Sequence, residues 1–333
     1  MKYAVSIIVV VIFFLTGCDS SRDLKVDVSD VNVEFDLQRY GQAIFSLDYE
    51  NLNQKNLKAL HDEFAFFINR DPDSNDVVAM QKYLQDPVNR ELFREVDQKY
   101  EDLSSLEAEF DQMFRHFKYY FPTFKTPNVY TYVSSLNFKQ PVIYPDSLLI
   151  IGLDMYLGKD VKYYDRAGIP KYLSRWFVEE RIVPEACQAI ITKRLHRRDD
   201  PSLLDYIVEQ GKLYYLMNAM MPQKPEKFII RYTDKQLDWI KENEVFVWGM
   251  IVENELLFSK DRPRIKSFID DGPFTSSISR QAPPRIADWL GWKMVEKYMS
   301  NNKDVSMMDL LEQNNSMDVL KHSNYKPAQK SRH

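Results

Sequence analysis

Glu185, Gln188 and Glu209 are the positions at which this chain could do chemistry. Glu185 and Gln188 belong to the segment Pro184-Glu185-Ala186-Cys187-Gln188, whose spacing predicts a helix, and Glu209 follows Gln188 by 21 residues. Carboxylates placed this way could serve a metal-bound water, Glu185 as general base and the later acid as a ligand. The neighbouring positions weigh against it. Proline has no side-chain donor atom, and a glutamine carbonyl is a poor zinc ligand beside imidazole. A glutamate one residue after a helix-initiating proline also has a plain structural role, because the helix dipole stabilises its charge by about 0.3–1 kcal/mol.

The other reactive side chains form no constellation. The five histidines (His61, His116, His196, His322 and His333) are never paired at metal-binding spacing, so neither a metal nor another cofactor is expected. Cys187 lies among Ala186, Ala189 and Ile190 and reads as a buried, inert thiol. Nine glycines include no phosphate-cradling arrangement, and no G-x-S-x-G elbow occurs. Arg285 and Trp289 follow Pro283-Pro284 at a predicted helix entrance. Core packing is the default for Trp289 and Trp292, with Gly291 between them allowing a close backbone approach. A cleft lined by Pro184, Arg285 and Trp289, with Arg285 receiving a carboxylate, is the alternative.

The start of the chain says where this body works. The apolar run Ala4 to Leu15 follows Lys2 and is too short for the roughly 20 residues that span a bilayer. Leu15-Thr16-Gly17-Cys18 after it reads as a bacterial lipoprotein signal, with Cys18 lipidated after removal of residues 1–17. The expected partner is therefore a membrane, engaged through that lipid. With Cys18 acylated, Cys187 is the last thiol and no intramolecular disulfide can form. The 44 Lys and Arg against 49 Asp and Glu argue against nucleic acid as a partner.

The elements that must position the candidate residues follow from periodicity. Residues 18–30 are polar and suit a tether, and Val31, Val33, Phe35 and Leu37 alternate as a strand. Leu52 to Asn69 and Leu92 to Tyr120 carry helical stripes. Three short strands are expected at Val129 to Val133, Pro141 to Tyr144 and Leu148 to Leu153. Helices follow over Tyr172 to Glu180, Pro184 to Arg198, Ser202 to Met220, Asp234 to Leu257 and Pro284 to Met299. The expectation is one helix-dominated α+β domain over 31–312 with a small antiparallel or mixed sheet, then a disordered polar tail over 313–333.

Strand, helix and downstream glutamate in this order are how zinc peptidases of the HExxH type are built. The chain resembles the gliding motility lipoprotein family GldB of Bacteroidetes, which is itself similar to such zincin-like peptidases. The resemblance lies in Leu15 to Cys18, Ser147 to Gly158 (SLLIIGLDMYLG), Arg181-Ile182-Val183-Pro184-Glu185 and Gln281 to Met299 (QAPPRIADWLGWKMVEKYM). It implies a zincin-like fold with a degenerate motif: Pro184 where the first histidine would stand, Glu185 matching the base, Gln188 replacing the second histidine and Glu209 matching the third ligand. It also implies a non-enzymatic component of the gliding and type IX secretion machinery, anchored to the inner or outer membrane, facing the periplasm and acting through other envelope proteins. Two alternatives stay open. One is an active metallopeptidase or other hydrolase recruiting His116 or His196 beside Glu185 and Glu209; the other is a lipoprotein that binds peptide or glycan without catalysis.

Overall fold

A computed structural model describes residues 22–64, 71–145, 147–196 and 198–327. The lipidation signal at Leu15 to Cys18 and His333 lie outside them. The β-rich stretches of the sequence become one sheet. Its strands β1 (Leu37–Gln38), β2 (Asn128–Tyr132), β3 (Val142–Ile143) and β4 (Leu148–Gly152) lie in the order β1-β2-β4-β3. β2 is parallel to β1 and β4, and β3 is antiparallel to β4, with Val142 opposite Ile151. The sheet is thus mixed, and the protein is α+β with helix dominant. Alternate strand residues face opposite sides: Val129, Leu149 and Ile151 enter the main core, while Tyr130 joins a smaller cluster with Tyr40, Leu60 and Phe64.

Helices α1 (Tyr40–Phe45), α2 (Gln54–Glu63) and α3 (Ser74–Gln85) supply that smaller cluster. The stripe from Leu92 to Tyr120 is split into α4 (Pro87–Lys99) and α5 (Ser104–Tyr120). The break has a cause: the Tyr100 hydroxyl donates to the Tyr156 carbonyl at 2.7 Å, and the Asp102 carboxylate accepts the Ser104 N–H at 2.8 Å. The helix expected over Tyr172 to Glu180 is also interrupted. After the single turn α6 (Lys162–Arg166), the stretch carries only the turn α7 (Lys171–Ser174) and a 3-10 turn at Glu179–Arg181, and between them the Phe177 carbonyl is taken by the Gly158 N–H at 2.9 Å.

The second half is a helical layer on the main-core side of the sheet. It comprises α8 (Ile182–Thr192), α9 (Leu203–Met220), α10 (Glu226–Ile230), α11 (Asp234–Glu253), α12 (Arg262–Ile269), α13 (Ile286–Asn301), α14 (Met307–Glu312) and α15 (Ser316–Ser323). Ser202 with Asp205 and Thr233 with Gln236 form capping boxes that start α9 and α11 where the sequence places them. α9 and α13 make the most extensive helix–helix contact among the described residues.

Both ends of the domain depart from the sequence reading. Residues 22–30 are no free tether: Leu24 and Val28 are buried, and Arg115 holds the Ser29 and Val31 carbonyls at 3.1 and 2.6 Å. The alternation from Val31 yields a strand only at Leu37–Gln38, since the Asn128 side chain takes the Asp36 N–H at 3.0 Å where a ladder would continue. The polar stretch from Gln313 is folded as far as 327. Ser316 donates to Asp205 at 2.7 Å, Val319 is buried, and the buried Tyr325 donates to Glu244 at 2.8 Å. Average polarity hid these few anchors, each meeting a partner distant in sequence.

Candidate functional site

A groove of about 740 Å³ runs between β3 and α8. One wall is Phe138 to Tyr144, the other Glu185, Gln188, Ala189 and Thr192. The first wall is positioned by a buried carboxylate. Asp154, following β4, accepts from the Ser134 N–H at 2.6 Å, the Leu136 N–H at 2.7 Å and the Ser134 hydroxyl at 3.0 Å. These bonds hold Ser135 and Leu136 at φ 58° and 62°, a left-handed turn that non-glycine residues seldom adopt. Burial pushes the Asp154 carboxyl above the usual range, against those hydrogen bonds.

Glu185 sits in the first turn of α8, which begins two residues before Pro184, so the proline still falls where its missing N–H costs nothing. Both carboxylate oxygens are engaged. Tyr156 donates its hydroxyl to Oε2, and Arg181 donates Nη2 to Oε1 at 3.1 Å. Arg181 is itself buried and donates Nη1 to the Phe228 and Ile229 carbonyls. Burial and the adjacent Glu185 push the Tyr156 hydroxyl well above its ordinary pKa, so it stays a donor. Sequence reasoning missed both partners. Arg181 stands at i−4 to Glu185, a spacing that pairs side chains on a helix; no local pattern reveals Tyr156.

The remaining predicted residues are dispersed. Gln188 lines the groove, but Pro184 is buried in the core and does not. Glu209 opens into a separate cavity of about 230 Å³, next to His196, and is paired to the buried Lys212 at 3.0 Å. Glu209, which the resemblance matches to the third ligand of a zincin, thus sits on α9 with its carboxylate turned to Lys212 and lines a different cavity from Glu185. His116 is buried on α5 with Nδ1 against the Gln112 carbonyl at 2.8 Å, and lines neither cavity. Among the described residues, no three His, Cys, Asp or Glu side chains are grouped to hold a metal ion. The donors that a zinc centre needs are therefore not assembled around Glu185. Cys187 is buried and its thiol is pushed up by burial, which leaves it inert.

Trp289 belongs to the core, and Arg285, though it borders a small cavity of about 10 Å³ with Arg231 and Asp271, is turned into the protein. Trp289 is buried and donates Nε1 to Glu244 at 2.8 Å. Arg285, 6% exposed, donates to Asp288 at 2.8 Å, the Tyr214 hydroxyl at 2.9 Å and the Ile230 carbonyl at 2.9 Å. Both terminal nitrogens are thereby turned to acceptors within the protein. Asp271 at the rim meets Arg285 at 3.3 Å and Arg231 at 3.0 Å. Burial raises the Asp271 carboxyl, but these two guanidinium groups outweigh it and hold the pKa below its ordinary value. A carboxyl depressed in the fold stabilises it above the unfolded pKa, and that contribution is lost as the pH falls through the folded value. Thermal denaturation followed below about pH 4 should accordingly decline less steeply in Asp271→Asn than in the wild type; parallel acid limbs would remove Asp271 from the account.

The long strand β4 offers no free edge, because it is flanked on both sides, by β2 and β3. β3 ends the strand order, and it is β3 that borders the groove.

A family model described as gliding motility protein GldB matches residues 21–327. No curated protein and no solved structure matches the chain. No helix among the described residues is long and apolar enough to cross a membrane.

Proposed function

We propose that this chain, which belongs to the gliding motility protein GldB family, is a lipid-anchored envelope component of the gliding apparatus whose β3–α8 groove holds an extended segment of a partner protein without catalysis. The observation that carries this reading is the engagement of Glu185. Tyr156 and Arg181 each donate to one Glu185 oxygen, and these charge-assisted bonds tie the carboxylate to the buried Arg181 in the wall of the groove, a structural role that needs no catalysis. A metal route lacks ligands, since Pro184 is buried and without a donor atom and Glu209 is paired with Lys212 in another cavity. What the groove retains is a strand edge beside a helix, a surface that binds extended chain through main-chain hydrogen bonds. A zincin-like ancestry would account for a glutamate kept at this place after its chemistry was discarded. The link to type IX secretion rests on the family resemblance.

Two variants in the native host test this reading. Ala189 is half-exposed in the groove wall, so Ala189→Trp should fill the groove and abolish gliding while the protein accumulates at its normal level. Glu185→Gln keeps the shape of the side chain but leaves the buried Arg181 without its counter-charge, so it should lower the Tm and leave gliding intact wherever the protein still accumulates. Loss of gliding in Glu185→Gln while the protein still accumulates would restore a catalytic role, and normal gliding in Ala189→Trp would remove the groove from function.

A further inference from the structure

Lipid anchors on long tethers leave a domain free to turn, but here the tether is nearly used up. Residues 22–30 lie against the domain, with Leu24 and Val28 buried and Arg22 donating to the Val305 carbonyl at 2.7 Å. From Cys18 to Arg22 the chain spans at most about 14 Å when fully extended. A domain of this size has a radius of gyration of roughly 20 Å. The lipid therefore cannot reach around the body, and the surface near Arg22 must lie close to the bilayer.

That surface is the end where α5 stops and the turn after α13 begins. Val305 follows α13, and Arg22 and Asp23 lie within electrostatic reach of Tyr120, the last residue of α5. Tyr119 beside it is 47% exposed and stacks edge-on against Tyr120 with ring centroids 4.9 Å apart. An exposed tyrosine has little to gain from water on its ring, whereas the headgroup region accommodates both ring and hydroxyl. We propose that the docked strap and the lipid on Cys18 together fix the orientation of the domain, holding Tyr119 and the 302–305 turn against the membrane surface. This rests on the lipoprotein assignment and is independent of what occupies the groove.

The test uses full-length lipidated protein in vesicles of phosphatidylethanolamine and phosphatidylglycerol. Lys303 and Lys82 are both exposed, and Lys82 stands in the last turn of α3, which packs in the cluster on the opposite side of the sheet from the main core. Fluorophores at Lys303→Cys and Lys82→Cys are read against lipids carrying a headgroup-level quencher; Cys187 is buried and stays unlabelled. Quenching should be several-fold stronger at position 303 than at 82. A long Gly/Ser insertion between Ser21 and Arg22 should abolish the difference. Equal quenching at both positions, or stronger quenching at 82, would overturn the orientation. Failure of the protein to float with the vesicles would overturn the anchor and the orientation with it.

Discussion

Gly291→Ala will prevent the native packing of α9 on α13 and leave little folded protein. A Cβ at Gly291 would stand 1.9 Å from the Ile207 carbonyl oxygen, and one at Gly211 would stand 2.2 Å from the Gly291 oxygen. Both obstacles are backbone, so no side chain can rotate away. Overpacking a core ordinarily costs about 1–3 kcal/mol and more where nothing can yield, a large part of the roughly 5–15 kcal/mol that holds a domain. The two helices would have to separate, exposing Trp289 and Trp292, which are almost wholly buried. Urea denaturation followed by tryptophan fluorescence checks this. A Gly291→Ala protein with an unchanged midpoint would show that the helices do not approach this closely.

Asp288→Ala will rank next. Asp288 accepts from Arg285 at 2.8 Å and from the hydroxyls of Tyr206 and Tyr214, each at 3.0 Å, and is itself 1% exposed. Removing it strands a buried guanidinium and two hydroxyls, and breaking a buried ion pair in this way costs about 3–5 kcal/mol. Replacing both partners with apolar residues, as in Arg285→Met with Asp288→Leu, should recover part of the loss because no unpaired charge then remains. Denaturant midpoints of the single and double variants decide it. A double variant less stable than Asp288→Ala would mean that the hydrogen bonds to Tyr206, Tyr214 and the Ile230 carbonyl outweigh the ion pair. The same network holds Arg285 at φ 49°, left-handed at the entrance to α13.

Local patterns reached the elements well, and tertiary pairings poorly. The strands at Asn128–Tyr132, Val142–Ile143 and Leu148–Gly152 and the helices begun by Ser202 and Thr233 were legible because alternation and capping are encoded within a few residues. Gly291 between two tryptophans signalled a close approach that Ile207 and Gly211 provide. The folded segment at Ser316–Ser323 and the docked strap at 22–30 were hidden, since their stability comes from Asp205, Glu244, Arg115 and Val305, each far away in sequence. In the site, Glu185 was found from its motif and Arg181 could have been, at helical spacing. Tyr156 could not, because it reaches Glu185 from the far end of the strand block. For Arg285 the sequence left the choice between core and cleft open, because a lone arginine at a helix entrance carries no sign of the tyrosines and aspartates that enclose it.

The central claim is that the groove beside Glu185 binds and does not hydrolyse. Zinc per protein, measured on the full-length protein purified without a histidine tag, saturated with zinc and dialysed, tests this most directly. The account predicts a value near zero; about one equivalent, lost in Glu185→Gln, would contradict it.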